Sequence, residues 1–417
     1  MSAQERKALL RELDREYEAV RARGLKLNMA RGKPSKKQLD LSEPLLTVLD
    51  RSEECFEADT DARNYGVLFG LACARAYFAD LLGVKPENVL AGGSASLQLM
   101  YDHLMRAWVF GLKDSPRPWC KEEKVKWLCP VPGYDRHFRI TEQLGMELIS
   151  VPMTPEGPDM DAVEAYVKDP AVKGIWCVPK YSNPDGIVYS RAVLDRFVHL
   201  NPAAPDFTVM WDNAYCVHEF KGGYVPFPGI LALAAAAGTE DRFYEFASTS
   251  KITFPGAGIS CMACSEKNLA YAEKYLNAQI ISYDKLNQLR HVLFLKDKAH
   301  TLEHMKKHAA LLAPKFALVQ STLHRELDEA GIASWTDPTG GYFVSFFAMP
   351  GTAGRIVSLM KDAGVILTPA GAAYPYGRDP ADSHIRLAPS LPPLEELETA
   401  LSVFCLTAKI AALEKLG

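Results

Sequence analysis

The spacing of apolar residues along the chain changes repeatedly between about residues 60 and 290. Segments with helical spacing alternate there with short runs that are apolar at nearly every position. Such continuous runs are typical of strands covered on both faces of a mostly parallel sheet. The seven strands that we predict carry the sequences VLAGG, KVKWLCPVP, ELISVPM, GIWCVP, FTVMWD, RFYEFAS and ISCMACS. The pattern therefore predicts an α/β fold in which a mostly parallel seven-stranded sheet lies between helices.

The two ends of the chain carry a different pattern. The opening segment predicts an amphipathic helix whose apolar positions are Leu9, Leu10, Leu13, Tyr17 and Val20. After the strands comes one long helical stretch, followed by the short apolar runs YFVSFFAMP, GVILTPAG and IRLAPS. We expect a large domain over residues 46–299 and a small α+β domain formed by residues 1–45 and 300–417. A long helix near 298–330 would join the two.

Three histidines are spaced four residues apart in the long helical stretch. His300, His304 and His308 could lie on one helix face, and helical histidine pairs bind metals in some proteins. The segment has no HExxH pattern, and Lys306 and Lys307 lie beside these histidines. The sequence therefore favours a solvated helix face here, and we expect no metal.

Composition excludes several classes of protein. The 417 residues carry a formal net charge of −4 without a block of like charges, which speaks against nucleic acid or an anionic membrane as a partner. The charged amino-terminal segment lacks the apolar core of a signal peptide, and the longest apolar run, ILALAAAAG, is too short to cross a bilayer. We expect a soluble globular protein.

The cysteines indicate a reducing compartment. There are nine, an odd number, and they show no regular spacing. Cys261 and Cys264 form a CxxC pair, but no second pair completes a zinc site, so we expect both to pack in a buried strand. These features predict a cytoplasmic protein.

Polar residues follow four of the predicted strands. Ser94, Ala95 and Ser96 follow VLAGG, and Asn183 follows GIWCVP. FTVMWD ends at Asp212, close to Tyr215, and RFYEFAS runs into the segment Ser248–Lys251. Because ligands of open α/β sheets bind at the carboxyl ends of the strands, we expect these side chains to meet at one edge of the sheet.

The residue types at this edge restrict the ligand. Small residues at a helix amino terminus suit a phosphate, since they expose backbone N–H groups. Asp212 lies at the end of an apolar strand, where a buried carboxylate needs a cation as its partner, and Lys251 can bond covalently to an aldehyde. There is no Walker A sequence, and Gly256 and Gly258 form only part of a dinucleotide motif. Pyridoxal phosphate requires N–H donors for its phosphate, a carboxylate for its ring nitrogen and a lysine for its aldehyde.

Six motifs occur in the order of one enzyme family. They are RGKP (31–34), RNYGVLFGLACAR (63–75), SNPDG (182–186), WDNAY (211–215), STSK (248–251) and IRLAPS (385–390). With them the chain resembles the pyridoxal-phosphate-dependent aminotransferases of fold type I, class I, along nearly its whole length. It is most similar to the atypical aspartate aminotransferase subgroup. Asp185 replaces the threonine of the family's SNPTG motif.

The resemblance implies roles around the cofactor ring. Lys251 would hold the cofactor covalently and, once freed, would shuttle a proton, which requires an amine of lowered pKa. Asp212 would keep the ring nitrogen protonated. Asn183 and Tyr215 would hydrogen-bond the phenolic oxygen, and Tyr134 would stack on the ring.

The resemblance also implies a phosphate site shared by two subunits. The phosphate would bind Ser94, Ala95, Ser96, Ser248 and Ser250 of one chain and Tyr65 of a second one, so the enzyme would be a homodimer. The family usually has an arginine eight residues after the lysine. Here that position is Ile259, and the sequence does not reveal what replaces the arginine.

For the substrate, the resemblance implies Arg386 as the partner of the α-carboxylate, with further contacts from Gly32 and Asn183. An aspartate or glutamate side chain needs a second cation, for which Arg31, Arg136 and Lys285 are candidates. The leading hypothesis is transamination between L-aspartate and 2-oxoglutarate by a ping-pong cycle, with amino acids and 2-oxo acids as the partners.

Two alternatives stay open. The enzyme could use another amino acid, such as alanine or an aromatic one. Domains similar to aminotransferases also serve as sensors in transcription regulators that carry an amino-terminal DNA-binding domain. Roughly 60 residues precede the RNYGV motif and read as one helix and an irregular arm, which disfavours a regulator.

Overall fold

The computed structural model describes residues 1–417. The α-helices are α1 (Ala3–Ala22), α2 (Lys36–Asp40), α3 (Ala72–Leu82), α4 (Ser96–Phe110), α5 (Asp135–Gln143), α6 (Met160–Tyr166), α7 (Arg191–Val198), α8 (Ile230–Ala236), α9 (Glu266–Gln279), α10 (Lys285–Leu295), α11 (Lys298–Leu327), α12 (Ala353–Asp362) and α13 (Leu394–Leu416). None of them is both long enough and apolar enough to span a membrane.

Fifteen strands form one large sheet and three small ones. The strands are β1 (Leu27–Asn28), β2 (Phe56–Glu57), β3 (Thr60–Asp61), β4 (Val89–Ala91), β5 (Lys126–Val131), β6 (Glu147–Thr154), β7 (Gly157–Pro158), β8 (Val172–Cys177), β9 (Thr208–Asp212), β10 (Phe243–Ser248), β11 (Ser260–Ala263), β12 (Ala333–Trp335), β13 (Val344–Ala348), β14 (Val365–Ile366) and β15 (His384–Leu387).

The large sheet has the strand order β4-β11-β10-β9-β8-β5-β6-β7. Strands β6, β5, β8, β9 and β10 run parallel, while β11 is antiparallel to both β10 and β4. All seven predicted strands are present, which confirms the α/β fold. The eighth, β7, has only two residues and pairs with the edge of β6, so it is too short to leave a periodic signal in the sequence.

Both faces of this sheet are covered by apolar side chains. In β9, Val209 and Trp211 belong to one buried cluster, and Met210 between them belongs to the cluster on the opposite face. Because neither face meets water, the strands show no polar alternation. Cys261 and Cys264 are buried within these clusters, as predicted, and no group of His, Cys, Asp or Glu is arranged to hold a metal.

A second core lies beside the sheet. It collects side chains from α1, α12, α13, β13 and β15, together with the carboxyl-terminal part of α11. Helix α11 serves both cores, since Met305 packs into the sheet's core while Leu312 and Phe316 pack into the second one. We propose that the two cores correspond to domains bounded at residues 46–299 and at 1–45 with 300–417.

The histidine face of α11 differs from the prediction. Only His300 is exposed, whereas His304 and His308 are 7% and 0% exposed. His304 Nε2 lies 2.9 Å from the Ile252 carbonyl, and His308 Nδ1 lies 3.3 Å from the Gln38 amide. The prediction of a solvated face was wrong because the amino-terminal arm and the turn after β10, both distant in sequence, cover this part of the helix.

Candidate active site

Residues that follow the parallel strands lie at one edge of the large sheet. Asp212 ends β9 and Ser248 ends the adjacent β10, with Phe246 opposite Asp212 in the parallel register. Asn183 follows β8, and Tyr134 follows β5. Strand topology thus brings together residues that are far apart in sequence.

Lys251 lies in a turn that is held firmly after β10. The Thr249 N–H donates to the Ile259 carbonyl at 2.8 Å, and the Ile259 N–H donates to Thr249 Oγ1 at 3.0 Å. Lys251 Nζ lies 4.7 Å from the centroid of the Tyr215 ring. Burial lowers the pKa of Lys251 from its usual 10.5, and the charge of Asp212 partly opposes this shift. The lowered pKa increases the share of neutral amine, the form that can accept a proton.

Asp212 has one satisfied and one unsatisfied carboxylate oxygen. Its Oδ2 lies 3.0 Å from His137 Nε2, and the His137 ring stacks on Trp176 at 4.3 Å between centroids. Its Oδ1 is buried and has no hydrogen-bond partner. Buried polar atoms are normally paired, so this oxygen is an open acceptor for a donor on a ligand.

Three other residues complete what we call the Asp212 cluster. Its members are Tyr134, His137, Asn183, Asp212 and Tyr215. Asn183 and Tyr215 are 6% and 2% exposed, and burial raises the pKa of Tyr215 well above its usual value, which keeps its hydroxyl able to donate. Burial raises the pKa of Tyr134 to about 12, and its ring lies edge-on to His137 with 4.8 Å between centroids.

A second group, the serine cluster, lies next to Lys251. Its members are Ser94, Ala95, Ser96, Ser248 and Ser250. Ala95 is the N-cap residue of the 15-residue helix α4 and Ser96 is its first residue, so free N–H groups of the first turn lie here. Ser248 Oγ donates to Ser250 Oγ at 3.1 Å, and Ser250 Oγ donates to the Ser94 carbonyl at 3.2 Å.

No lysine or arginine side chain forms a hydrogen bond or ion pair with any residue of the serine cluster. Ile259, where an arginine was expected, is 1% exposed and packs into the core of the sheet. The cluster therefore offers hydroxyl and N–H donors together with the positive end of a helix. Such a donor set suits an anion.

Tyr65 lies on the surface, with 79% of its area exposed. The two carbonyls that flank it, those of Asn64 and Gly66, accept hydrogen bonds from Lys285 Nζ. Lys285 is itself only 2% exposed. Lys285 is one of the three candidates for binding a substrate side-chain carboxylate, but its ammonium group already holds the segment around Tyr65.

Arg386 lies in β15 with its guanidinium among polar groups. Its Nη1 donates to Asp135 Oδ1 at 3.0 Å and to Asn183 Oδ1 at 3.3 Å. Its Nη2 lies 3.4 Å from Thr368 Oγ1, and Nε is buried without a partner. The guanidinium carbon lies 4.8 Å from the centroid of the Phe343 ring. Unused N–H donors thus remain for an incoming carboxylate.

Gly32 packs against the same Phe343. A Cβ at Gly32 would lie 2.5 Å from Phe343 Cζ, so any other residue here would have to push the Phe343 ring aside. The neighbouring Arg31 is exposed, as is Arg136 in the first turn of α5, and neither side chain forms an ion pair. Both arginines are free to meet a ligand.

The sequence prediction missed two residues that touch this site, His137 and Asp135. Both lie in the first turn of α5, immediately after Tyr134. The signal that could have found His137 is its spacing, because residues three apart lie on one helix face. For Asp135 no such signal exists, since its partner Arg386 lies on a strand of the second core.

Comparison with known proteins identifies the family. The family model described as aspartate amino-transferase matches residues 1–417. The chain belongs to this family. A curated relative, the aspartate aminotransferase of Corynebacterium glutamicum, is 47% identical over 403 residues, which cover 97% of this chain and 93% of that protein.

Solved structures agree with this membership. An aspartate transaminase from Corynebacterium glutamicum superposes with a TM-score of 0.98 at 46% identity, covering 100% of this chain and 98% of that one. LysN, an α-aminoadipate aminotransferase from Thermus thermophilus, superposes with a TM-score of 0.75 at 23% identity over 95% of this chain and 96% of that one. The aminotransferase is thus a pyridoxal-phosphate-dependent transferase of fold type I.

The side chains of this aminotransferase fit that cofactor. The unpartnered Oδ1 of Asp212 is an acceptor for a protonated ring nitrogen, and Lys251 supplies an amine of lowered pKa beside it. The serine cluster supplies donors for a phosphate. All three requirements are met at one sheet edge.

Proposed function

We propose that this aminotransferase interconverts L-aspartate and 2-oxoglutarate with their 2-oxo-acid and amino-acid products by a ping-pong cycle. The observation that carries the proposal is the meeting of Lys251, Asp212 with its open Oδ1, and Arg386 in one site. The choice of aspartate is supported by the relative of that name, which is 47% identical to this chain.

The Asp212 cluster would hold the cofactor ring. Pyridoxal phosphate, when bound, supplies an aldehyde for the amino group and a ring that accepts the electron pair left at the substrate α-carbon. Asp212 would keep a proton on the ring nitrogen, and His137 orients Asp212 by its hydrogen bond to Oδ2. Asn183 and Tyr215 would donate to the phenolic oxygen, and Tyr134 would cover the ring.

Lys251 would be both the covalent anchor and the proton carrier. Once the substrate amine has taken its place on the cofactor, the neutral amine of Lys251 would take the proton from the substrate α-carbon and transfer it to the cofactor carbon. The lowered pKa favours the neutral amine required for the first of these transfers.

Arg386 would bind the substrate α-carboxylate through its free N–H groups. Asn183, 3.3 Å from Nη1, and the backbone of Gly32 would add contacts to the same carboxylate. A guanidinium suits this task because its donors form a rigid fork that matches a carboxylate.

The side-chain carboxylate of aspartate would meet Arg31 or Arg136. Both are exposed without an ion pair, and the charge of Arg136 already influences the pKa of Tyr134 in the Asp212 cluster. Lys285 is less suited, since its ammonium is buried against Asn64 and Gly66.

The serine cluster would bind the cofactor phosphate together with Tyr65 of a second chain, so that a homodimer holds two shared sites. The exposure of Tyr65 supports this assignment, because it leaves the hydroxyl free to reach a neighbouring molecule. We also propose a cytoplasmic location, in keeping with nine free cysteines.

A half-reaction tests the proposal. The purified enzyme, loaded with pyridoxal phosphate, is mixed with L-aspartate, L-alanine or L-phenylalanine, and the visible absorbance of the cofactor is followed. We expect L-aspartate to convert the cofactor to its amine form fastest. Arg31→Met and Arg136→Met separate the two candidates, because the variant that loses aspartate but keeps alanine identifies the side-chain cation. Faster conversion by alanine or phenylalanine would refute the aspartate assignment.

A further inference from the structure

The ion pair between Asp135 and Arg386 has no role in the function proposed so far. Asp135 is the first residue of α5 and follows Tyr134 of the Asp212 cluster. Its Oδ1 lies 3.0 Å from Arg386 Nη1, and its side chain is 34% exposed, whereas that of Arg386 is 9% exposed. An acidic residue thus lies at the mouth of the site, against the cation that would bind substrate.

Arg386 needs a counter-ion when no substrate is bound. A nearly buried guanidinium is costly unless a negative charge compensates it. Its remaining partners, the Asn183 amide and the Thr368 hydroxyl, are neutral. Asp135 is the only carboxylate within ion-pair distance of this guanidinium.

A substrate carboxylate would seek the same positive charge. Nη1 already donates to Asp135 and Asn183, so an incoming carboxylate must either share the guanidinium with Asp135 or replace it there. Two carboxylates around one guanidinium repel each other, and this repulsion is strong where water is largely excluded.

We propose that Asp135 is a positioning residue, an internal counter-ion that a substrate carboxylate displaces from Arg386. The proposal rests on the proposed function, which assigns Arg386 to the substrate α-carboxylate. Every carboxylate meets this same competitor, so Asp135 lowers the affinity of the site for all of them. A ligand held by one carboxylate alone gains little, whereas a ligand with a second carboxylate held elsewhere gains enough to displace Asp135.

Calorimetric titration of the holoenzyme with succinate and with acetate tests this competition. Succinate is a four-carbon dicarboxylate without an amino group, so it binds without reacting. We expect Asp135→Asn to bind both anions more tightly, by about tenfold or more at low salt, because juxtaposed like charges weaken binding. Asp135→Glu, which restores the carboxylate, should bind them nearly as wild type does. Asp135→Ser repeats the test if the Asn variant folds poorly.

Two controls separate this proposal from its premise. Asp161→Asn removes a carboxylate that is 88% exposed and pairs with Arg196 on the surface, and it should leave succinate binding unchanged. Arg386→Lys should weaken succinate binding in every background. If Arg386→Lys has no effect, the carboxylate site itself is misassigned and both proposals fall. If Arg386→Lys weakens binding but Asp135→Asn leaves it unchanged or weaker, only the counter-ion proposal is overturned.

Discussion

The Asp212 cluster and the serine cluster lie side by side at one sheet edge, yet they are built differently. The Asp212 cluster is largely buried, and its central carboxylate is oriented by His137, which is itself stacked on Trp176. The serine cluster is more open, with Ser94 exposed, and its side chains bond only to one another and to the backbone. One site thus combines a buried charged part with a more open neutral part.

The difference follows from what each part would do in the proposed function. A carboxylate must keep its charge in a buried place, and this requires a hydrogen-bonded partner and tight packing around it. A phosphate is bound well by backbone N–H groups and hydroxyls at a helix amino terminus, which need no counter-charge of their own. With Ile259 buried in the core of the sheet, the serine cluster offers only such neutral donors.

The largest expected effect comes from the lysine between the two clusters. Lys251→Ala should lower the rate of transamination at least ~10³-fold, because both the covalent anchor and the proton carrier are lost. Borohydride reduction followed by peptide mapping should attach the cofactor to the wild-type Lys251 peptide and not to the variant. Substantial activity in the variant, or labelling of another lysine, would contradict the assignment.

The next largest effect should come from the charged cluster. Asp212→Asn should lower kcat by about 10²–10⁴-fold, since a neutral amide cannot keep the ring nitrogen protonated. His137→Asn should have a smaller effect of about tenfold, because His137 acts only through Asp212. Steady-state kinetics at saturating cofactor measures both. Equal losses in the two variants would mean that His137 contacts the reacting groups directly.

The serine cluster should respond in affinity instead of rate. Ser250 links Ser248 to the Ser94 carbonyl, so Ser250→Ala should weaken binding of pyridoxal phosphate by about tenfold, as for one hydrogen bond to a charged group. The kcat at saturating cofactor should stay within about twofold. Equilibrium dialysis against the cofactor measures the first quantity. A fall in kcat without a change in the affinity for pyridoxal phosphate would mean that the serine cluster, like the Asp212 cluster, affects the rate.

The sequence predicted the residues that depend on strand ends. Asp212, Asn183 and Lys251 follow apolar runs, and the parallel arrangement of such runs places their ends together. The same local logic selected Ser94, Ala95 and Ser96, because they lie at the junction of strand β4 and helix α4. These predictions needed no knowledge of how the two cores pack.

Residues whose environment depends on distant segments were not predicted. His304 and His308 were expected in solvent, but Gln38 and the arm that carries it cover them. Asp135 meets Arg386 across more than two hundred residues of chain. The spacing of apolar residues shows which face of a helix or strand is apolar. It does not show which remote segment packs against its polar face.

The smallest effect on activity is expected at Asp185, the residue that departs from the family motif, where a substitution should change stability instead. Asp185 is 4% exposed and accepts a hydrogen bond from Ser345 Oγ at 2.6 Å. Burial raises the pKa of Asp185 from its usual 3.8 to about 6. The same hydroxyl contacts His384 Nε2 at 2.9 Å, and burial lowers the pKa of His384 to about 3, so that His384 stays neutral near pH 7.

A raised carboxyl pKa makes the folded state less stable as the pH rises. The contribution of Asp185 to stability is fully present below about pH 4 and is lost as the pH passes about 6, because the buried carboxyl must then ionise. Asp185→Asn cannot ionise. The free energy of unfolding of the variant minus that of wild type should therefore increase by up to about 3 kcal/mol between pH 4 and pH 7. This figure follows from about 1.4 kcal/mol for each unit of pKa shift. Urea titrations at several pH values measure this difference, with Asp161→Asn as the exposed control. A difference that stays constant with pH would show that Asp185 ionises as readily as a carboxyl in water.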